Sequence, residues 1–506
     1  MRTLEWILFS IIVGLSITGA LADPDLWWHV TIGRWIVGHG ALPTTELWNR
    51  FGFGHPFTPY SWSFEIIVAL LEKLGGLKAL LIAQMLLVAV TANLMAWCLS
   101  QAAKDYFFGM LIGAVVTSGF VAQFTLRPQS VVWLFFALLL WVCFQIRTHG
   151  VSSKRLLALS AIMMAWANMH ITTVIGVVTI VVLLFDPRDR RRWILPLSLV
   201  IIATCCTPHL GYEWVIFFSK ADHPLALRSI AEFGPGTVLD YPVGLLIGLL
   251  ALLLTFLACA PRSVPAALLV LVGAFTLGGL AVVKFLPFAL VSTGYAVCLA
   301  WYNVQKTVRS EPIQNLFEGF ERLRRGIAHC SGTGLLFFLL CVIVVKVHNL
   351  LNHSPVLTES VPEDAVDFMI AHQLPKPFMN TFGDGGYVMY RLSSETGELT
   401  PEERVNIDGR TNVNDPAIME LNQRALDGRL SWRRYLDRVN PRTILWRNRS
   451  PLTTILLASG EWCRVFAIGS QESGHSVFIR TEEAGSEGLP SCLPEGASRQ
   501  VREGSA

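Results

Sequence analysis

From Met1 to about Leu350 the apolar residues come in long runs, and from there to Ala506 the chain turns polar and finely mixed. Eleven runs in the first part predict membrane-crossing helices: 5–22, 76–99, 107–122, 130–146, 155–169, 171–185, 193–207, 241–259, 264–283, 285–302 and 332–350. A crossing takes about 20 mostly apolar residues, fewer where it is tilted or shielded by neighbours. The 155–185 stretch breaks only at Asn168-Met169-His170, a pattern that fits two short crossings or one re-entrant hairpin. Between the first two runs the pattern predicts amphipathic helices at 26–37 and 61–74, on either side of a turn-rich stretch holding Gly52, Gly54, Pro56 and Pro59. Beyond 350 it predicts a helix at 363–372 after Pro362, and strands at 404–407, 442–446 and 465–468. Turns are expected at Asp384-Gly-Gly and Asp408-Gly-Arg, and the Gly/Ser/Glu-rich 482–506 segment predicts disorder.

Three regions follow: a membrane part, 1–350, that includes an external loop, 23–75; a small α/β domain, 351–481; and a disordered tail, 482–506. Composition fits this division. Of 506 residues, 53% are hydrophobic and 15% charged, too few charges for a soluble protein of this length. A net charge of +3, carried in short Lys/Arg clusters, points away from nucleic acid. The clusters give orientation instead. Arg147, Lys154, Arg155, Arg188, Arg190–Arg192, Arg262, Lys306, Arg309, Arg322, Arg324 and Arg325 fall in alternate loops, which places the N-terminus in the cytoplasm and both the 23–75 loop and the C-terminal domain outside. The expected fold class is an α-helical polytopic membrane protein of about 11 transmembrane helices with a C-terminal extracytoplasmic α/β domain. Leu21-Ala22 is a poor cleavage site, so the first run reads as a signal-anchor helix.

Motifs exclude several chemistries. There is no GxxxxGK[ST] phosphate loop, no CxxC and no His-rich metal spacing. Eight of the ten cysteines lie in or beside the apolar runs, where a thiol serves as a small packing group. Cys463 and Cys492 are the pair in the polar domain, and an oxidising compartment permits a disulfide there.

Candidate chemistry gathers on the external side. Asp23-Pro24-Asp25 follows the first run directly, and Pro24 ends helical geometry at Asp23. Acidic residues there serve as helix caps. At a membrane face, a carboxylate also suits general-base work or a divalent cation, Mg or Mn, with Asp23 and Asp25 as its ligands. Trp27, Trp28 and Trp35 suit the interface, and His29 lies one turn after Asp25. Arg127 and Lys284 sit at external helix ends, as do Asn168, His170, His209, Glu213, His223, Arg228 and Glu232. Charges at such positions are costly unless paired or functional. Arg127 and Lys284 are the expected ligands of a phosphate, with snorkelling to the interface as the plainer role. Glu232 has Arg228 as a helical i, i+4 partner, and Asp408 with Arg410 reads first as a turn with a local salt bridge.

The stretches Asp23-Pro-Asp-Leu-Trp-Trp-His29, Gly33-Arg-Trp-Ile36 and Gly38-His-Gly-Ala-Leu-Pro43 resemble a group of bacterial multi-pass membrane proteins related to GT-C-fold glycosyltransferases. Arg127-Pro-Gln, Trp166-Ala-Asn-Met-His170, Thr207-Pro-His-Leu-Gly211, Ala231-Glu-Phe, Gly385-Gly-Tyr and Ile407-Asp-Gly-Arg410 fit the same group. The chain departs from it at Thr207-Pro-His209, where Asn-Pro-Tyr is usual, and at Ile171, where glycine commonly follows the histidine. The resemblance implies a membrane glycosyltransferase that uses a polyprenyl-phosphate-linked sugar, many members having no assigned substrate. It implies that Asp25, supported by Asp23 or His29, is the base or metal ligand. Arg127 and Lys284 are then expected on the donor phosphate, and His170, Asn168 and Glu232 on substrate, in the inner membrane of a bacterium. The acceptor is a protein, lipid or glycan. A lipid-linked solute transporter or flippase would instead favour midplane charges and an internal repeat, and no clear repeat is present. A non-catalytic polysaccharide assembly or binding protein would favour exposed tail aromatics.

Overall fold

A computed structural model describes residues 18–186, 190–221, 231–307, 311–329, 340–346, 348–349, 352, 354–357, 360–429, 431–469, 474–486 and 488–494. The chain forms two compact units. One comprises Ile82–Asp222 and Ile230–Asn352, the other Gly19–Leu81 and His353–Ala506. This division differs from the composition break near 350, which keeps the 23–75 loop with the membrane part.

In the first unit the apolar runs fold as helices close to their expected bounds. Tyr106–Ser118, Pro128–His149, Ser153–Met169, Thr173–Leu184, Arg190–Cys205, Tyr241–Cys259, Ala266–Ala281 and Leu286–Thr307 are all helical. Start signals are local: Asp105 accepts the Phe107 and Phe108 N–H groups, and Pro128 occupies a first-turn position that needs no N–H donor. Among the described residues four helices are long and apolar enough to cross a membrane: Trp62–Ala103, Pro128–His149, Tyr241–Cys259 and Val283–Thr307. Tyr106–Ser118, Thr173–Leu184 and Ala266–Ala281 are shorter apolar helices. The described helices therefore do not amount to the eleven expected crossings. The 5–22 run, up to residue 17, and most of 332–350 lie outside the described residues.

Small residues let these helices approach. A Cβ on Gly109 would lie 2.2 Å from the Ser100 Cα, and one on Gly113 2.6 Å from the Ala96 Cα. Four residues apart, the two glycines present one smooth stripe to a neighbouring backbone, the small-xxx-small device of packed membrane helices. Around them Phe108 stacks on Trp301 at 4.0 Å, and Phe136, Trp166 and Phe288 fill the centre.

In the second unit the segments expected at 26–37 and 61–74 are helices, Pro24–His39 and the first part of Trp62–Ala103. The latter is broken at Gly75-Gly76, where Gly76 takes φ 62°, a conformation that glycine adopts without a Cβ penalty. Pro24–His39 and the 62–74 helix touch so closely at Gly33 that a Cβ there would lie 1.9 Å from the Glu65 carbonyl oxygen. The 363–372 helix is found at Glu363–Ala371. A four-stranded sheet is ordered β1-β2-β4-β3, with β1 Phe378–Met379, β2 Thr443–Arg447, β3 Trp462–Ile468 and β4 His475–Arg480. β1 and β2 are parallel, the other pairs antiparallel.

Three local expectations differ. Residues 404–407 are not a strand, and Val405 makes one isolated bridge to Asn49. Asp384-Gly-Gly turns and then enters a helix, Gly385–Leu392, whose glycines meet the Ile407 and Pro24 carbonyls. The polar tail is ordered where it is described, in 482–486 and 488–494: Cys492 is disulfide-bonded to Cys463, and the Leu493 N–H donates to the Arg464 carbonyl at 2.8 Å. A covalent link and a backbone bond offset the entropy that its composition alone would favour.

Candidate functional site

In the second unit, Asp23 is the N-cap of Pro24–His39. It is buried, and its Oδ1 accepts the Asp25 N–H at 2.9 Å. The capping role weighed for the acidic pair thus falls on Asp23. Asp25 lies in the first helical turn, half-buried, and its Oδ1 accepts the Trp28 indole N–H at 3.1 Å. A Cβ on Gly409 would lie 2.3 Å from that same oxygen, so the glycine of Asp408-Gly409-Arg410 makes room for the carboxylate. His29 is buried one turn on, with Nδ1 3.2 Å from Glu65 Oε1 and its ring 3.5 Å from Trp28.

Asp408 and Arg410 are themselves structural. The Arg410 guanidinium is about 1% exposed and donates to Glu46 Oε2 (2.7 Å), Glu46 Oε1 (3.0 Å), Asp408 Oδ1 (2.8 Å) and Asp408 Oδ2 (2.8 Å). Glu46 also accepts the Trp48 and Asn49 N–H groups. Burial disfavours the charge on Arg410, but the Asp408 and Glu46 carboxylates overcome it and hold the guanidinium above its usual range. The local salt bridge expected of this turn is present, and Glu46 completes it.

A second buried cluster shares this unit. Asp384 accepts from Arg447 at 2.5 Å and from the Thr381 hydroxyl at 2.6 Å, and lies 3.3 Å from His475 Nε2. Burial raises its carboxyl, yet Arg447 and His475 prevail and hold it well below the usual carboxylate range. A depressed folded-state value contributes stability above the ordinary Asp titration, lost as pH falls through it. The midpoint of thermal unfolding is therefore expected to drop below about pH 4, and to drop less in Asp384→Asn; equal acid sensitivity in both proteins would refute the assignment.

In the first unit, three residues far apart in sequence converge. Arg127 precedes the Pro128–His149 helix, Glu232 lies in the short turn Ala231–Phe233, and Lys284 in the turn Val283–Phe285. The Arg127 guanidinium donates to Glu232 Oε1, and Lys284 Nζ lies 3.4 Å from Glu232 Oε2 and 5.0 Å from the Phe233 ring centre. Backbone bonds fix the two turns: Gly236 N–H to Leu280 O at 2.9 Å and Val283 N–H to Gly234 O at 3.0 Å. Burial would raise the Glu232 carboxyl, but Lys284 and Arg127 hold it below its usual value. Among the described residues Glu232 thus bridges the two cations.

The other candidate residues have local partners. His170 is buried, and its Nδ1 lies 2.8 Å from the Thr172 hydroxyl. Asn168 donates to the Met164 and Cys206 carbonyls, which ties the end of Ser153–Met169 to the end of Arg190–Cys205. Thr207 donates to Glu213 at 2.9 Å and accepts the Gly211 N–H, so its hydroxyl closes the turn. His223 and Arg228 lie outside the described residues. Among the described residues no group of three or more His, Cys, Asp or Glu side chains is placed to hold a metal ion.

No protein-family model and no curated protein sequence matches the chain. Solved structures do. An archaeal oligosaccharyltransferase, AglB from Archaeoglobus fulgidus in complex with an inhibitory peptide and a dolichol-phosphate, is similar with a TM-score of 0.57 at 10% identity, over 93% of this chain and 74% of that one. The fold is GT-C-like. The apo Archaeoglobus fulgidus oligosaccharyltransferase gives a TM-score of 0.53 at 9% identity, over 96% of this chain and 75% of that one. The likeness therefore extends across both units of this chain, and at these identities it is a likeness of fold.

Proposed function

We propose that the protein is a membrane glycosyltransferase that moves a sugar from a polyprenyl-phosphate donor to an acceptor on the external face of a bacterial plasma membrane. The observation that carries the reading is the convergence of Arg127 and Lys284 in a GT-C-like fold. Cations at helix ends suit a lipid-borne phosphate, which must be held at the bilayer surface. Asp25 is the proposed base. One of its oxygens is engaged by the Trp28 indole, which orients the carboxylate. Deprotonation of an acceptor hydroxyl lets its oxygen attack the anomeric carbon. The C–O bond to the donor phosphate breaks, and the phosphate leaves with that electron pair. A single displacement of this kind inverts the anomeric carbon. Asp23 holds the helix start, and His29 with Glu65 anchors the turn behind it. No step is routed through a metal ion.

The test is transfer in proteoliposomes from short-chain prenyl-phosphate-linked sugars to a panel of peptide, lipid and glycan acceptors. Arg127→Gln and Lys284→Gln are each expected to raise the donor KM about tenfold or more, the usual scale for loss of a charge-assisted contact to phosphate. Unchanged donor KM in both correctly inserted variants would remove the basis for the reading.

A further inference from the structure

In the second unit Arg424, Arg433, Arg442 and Arg480 each pair with a carboxylate. Arg50, Arg404 and Arg438 do not. Among the described residues none of the three makes an ion pair, and each lies instead against a phenylalanine ring of the turn-rich 50–60 stretch. The Arg50 and Arg438 guanidinium carbons are both 5.7 Å from the centre of the Phe51 ring, and that of Arg404 is 3.4 Å from the centre of Phe53. The arrangement is held from beneath. Phe51 packs on the core around Tyr435 and Trp446, and the Arg50 side chain donates to the Val439 carbonyl at 2.8 Å. The Arg50 backbone N–H donates to the carbonyl of Val405, next to Arg404, also at 2.8 Å. Arg50 and Arg438 are exposed, Arg404 is half-buried, and Phe53 is 46% exposed. Glu46, the buried acid whose charge reaches Arg404, is already held by Arg410.

A guanidinium laid on a ring face is oriented while its N–H fork stays available, and that fork matches a carboxylate two bonds at a time. The main chain here has little to offer a ligand. The N–H groups of Arg50, Phe51, Gly52, Gly54 and His55 are all bonded within the unit, to the Val405, Glu46 and Gly52 carbonyls and to the Asn49 side chain. An extended peptide therefore cannot add as a strand through these groups. Recognition falls to side chains, which present carboxylate-binding forks beside a flat apolar face. A sugar ring bearing a carboxylate offers the complement of both, since its C–H face suits the negative face of an aromatic ring. We propose that Arg50, Arg404 and Arg438, with Phe51 and Phe53, form a binding surface for an acidic glycan. Its carboxylates lie on the guanidinium groups, and a sugar face lies on the part of Phe53 that Arg404 leaves exposed. The proposal is independent of the roles given to Asp25, Arg127 and Lys284.

The experiment measures binding of tetragalacturonate, a sugar chain with a carboxylate on every unit, to the purified protein in detergent. Its uncharged methyl ester, tetraglutamate and phosphatidylglycerol vesicles are the comparison probes. Tetragalacturonate is expected to bind, more weakly as salt rises, and the methyl ester about tenfold more weakly or worse. Arg404→Gln and Arg438→Gln are each expected to weaken tetragalacturonate binding about tenfold. Arg438→Lys, which keeps the charge and loses the fork, is expected to fall between wild type and Arg438→Gln. Phe53→Ser is expected to weaken the glycan and leave any binding of tetraglutamate unchanged. If Arg404→Gln lowers the midpoint of thermal unfolding, the exposed Arg438→Gln decides the matter by itself. Binding of tetraglutamate as tight as that of the glycan would overturn the proposal in favour of an acidic peptide. Binding of the vesicles alone would make the surface a membrane contact, and no loss of glycan affinity in Arg438→Gln would remove the arginines from any such role.

Discussion

Asp25→Asn is expected to lower the rate of sugar transfer by about 10²–10⁴-fold, the usual contribution of a positioned general base. The substitution is chosen because the local structure has no reason to change. Asparagine keeps an acceptor oxygen for the Trp28 indole N–H, keeps the side-chain volume beside Gly409, and leaves the helix cap on Asp23 intact. What it removes is the ability to take a proton. Asp23→Asn is the matched control. Asparagine caps a helix about as well as aspartate does, so this variant is expected to keep near-wild-type transfer. Asp23→Ala, by contrast, loses the cap and about 1 kcal/mol of stability. The measurement is single-turnover transfer with each variant checked for correct insertion. Full activity in Asp25→Asn, or equal damage from Asp23→Asn, would take the base away from Asp25.

The largest effect on stability is expected at Arg410, which follows the Gly409 that makes room for Asp25. Arg410→Met should cost about 3–5 kcal/mol, because it leaves Glu46 and Asp408 as buried carboxylates without their common cation. Methionine approximates the aliphatic stem, so the loss reports the guanidinium and not a cavity. Combining Arg410→Met with Glu46→Gln is expected to recover part of the loss, since one of the stranded charges is gone. Tryptophan fluorescence during thermal unfolding checks this, helped by Trp48, whose ring centre lies 5.6 Å from the guanidinium carbon. A wild-type midpoint for Arg410→Met would show that the cluster contributes little.

Helices of the first unit were legible because a long apolar run allows few alternatives, and Asp105, Pro128 and Gly150 mark their ends locally. The sheet was legible only in part. β4 is hydrogen-bonded on both sides and buried at His475 through Ile479, so it lacks the alternation of apolar and polar residues that announces a half-buried strand. β1 is two residues long, too short to carry any pattern. Of the candidate site, Arg127, Lys284 and Glu232 could be named from topology and resemblance. That Glu232 bridges the two cations could not, because it lies 105 residues from Arg127, and periodicity carries no information across that distance. Arg228 was the partner within helical reach of Glu232 in the sequence, and a rule about neighbours four apart favours near partners over distant ones. Asp408 and Arg410 looked self-contained for the same reason, with the role of Glu46 hidden 364 residues away.

That last separation sets a clock. Chains are made at about 5–20 residues per second, so roughly 20–70 s pass between the synthesis of Glu46 and that of Arg410. For that interval the loop around Trp48 and Asn49 exists without the cation that completes it, and whatever keeps it from wrong partners must act before the C-terminal third of the chain has been made.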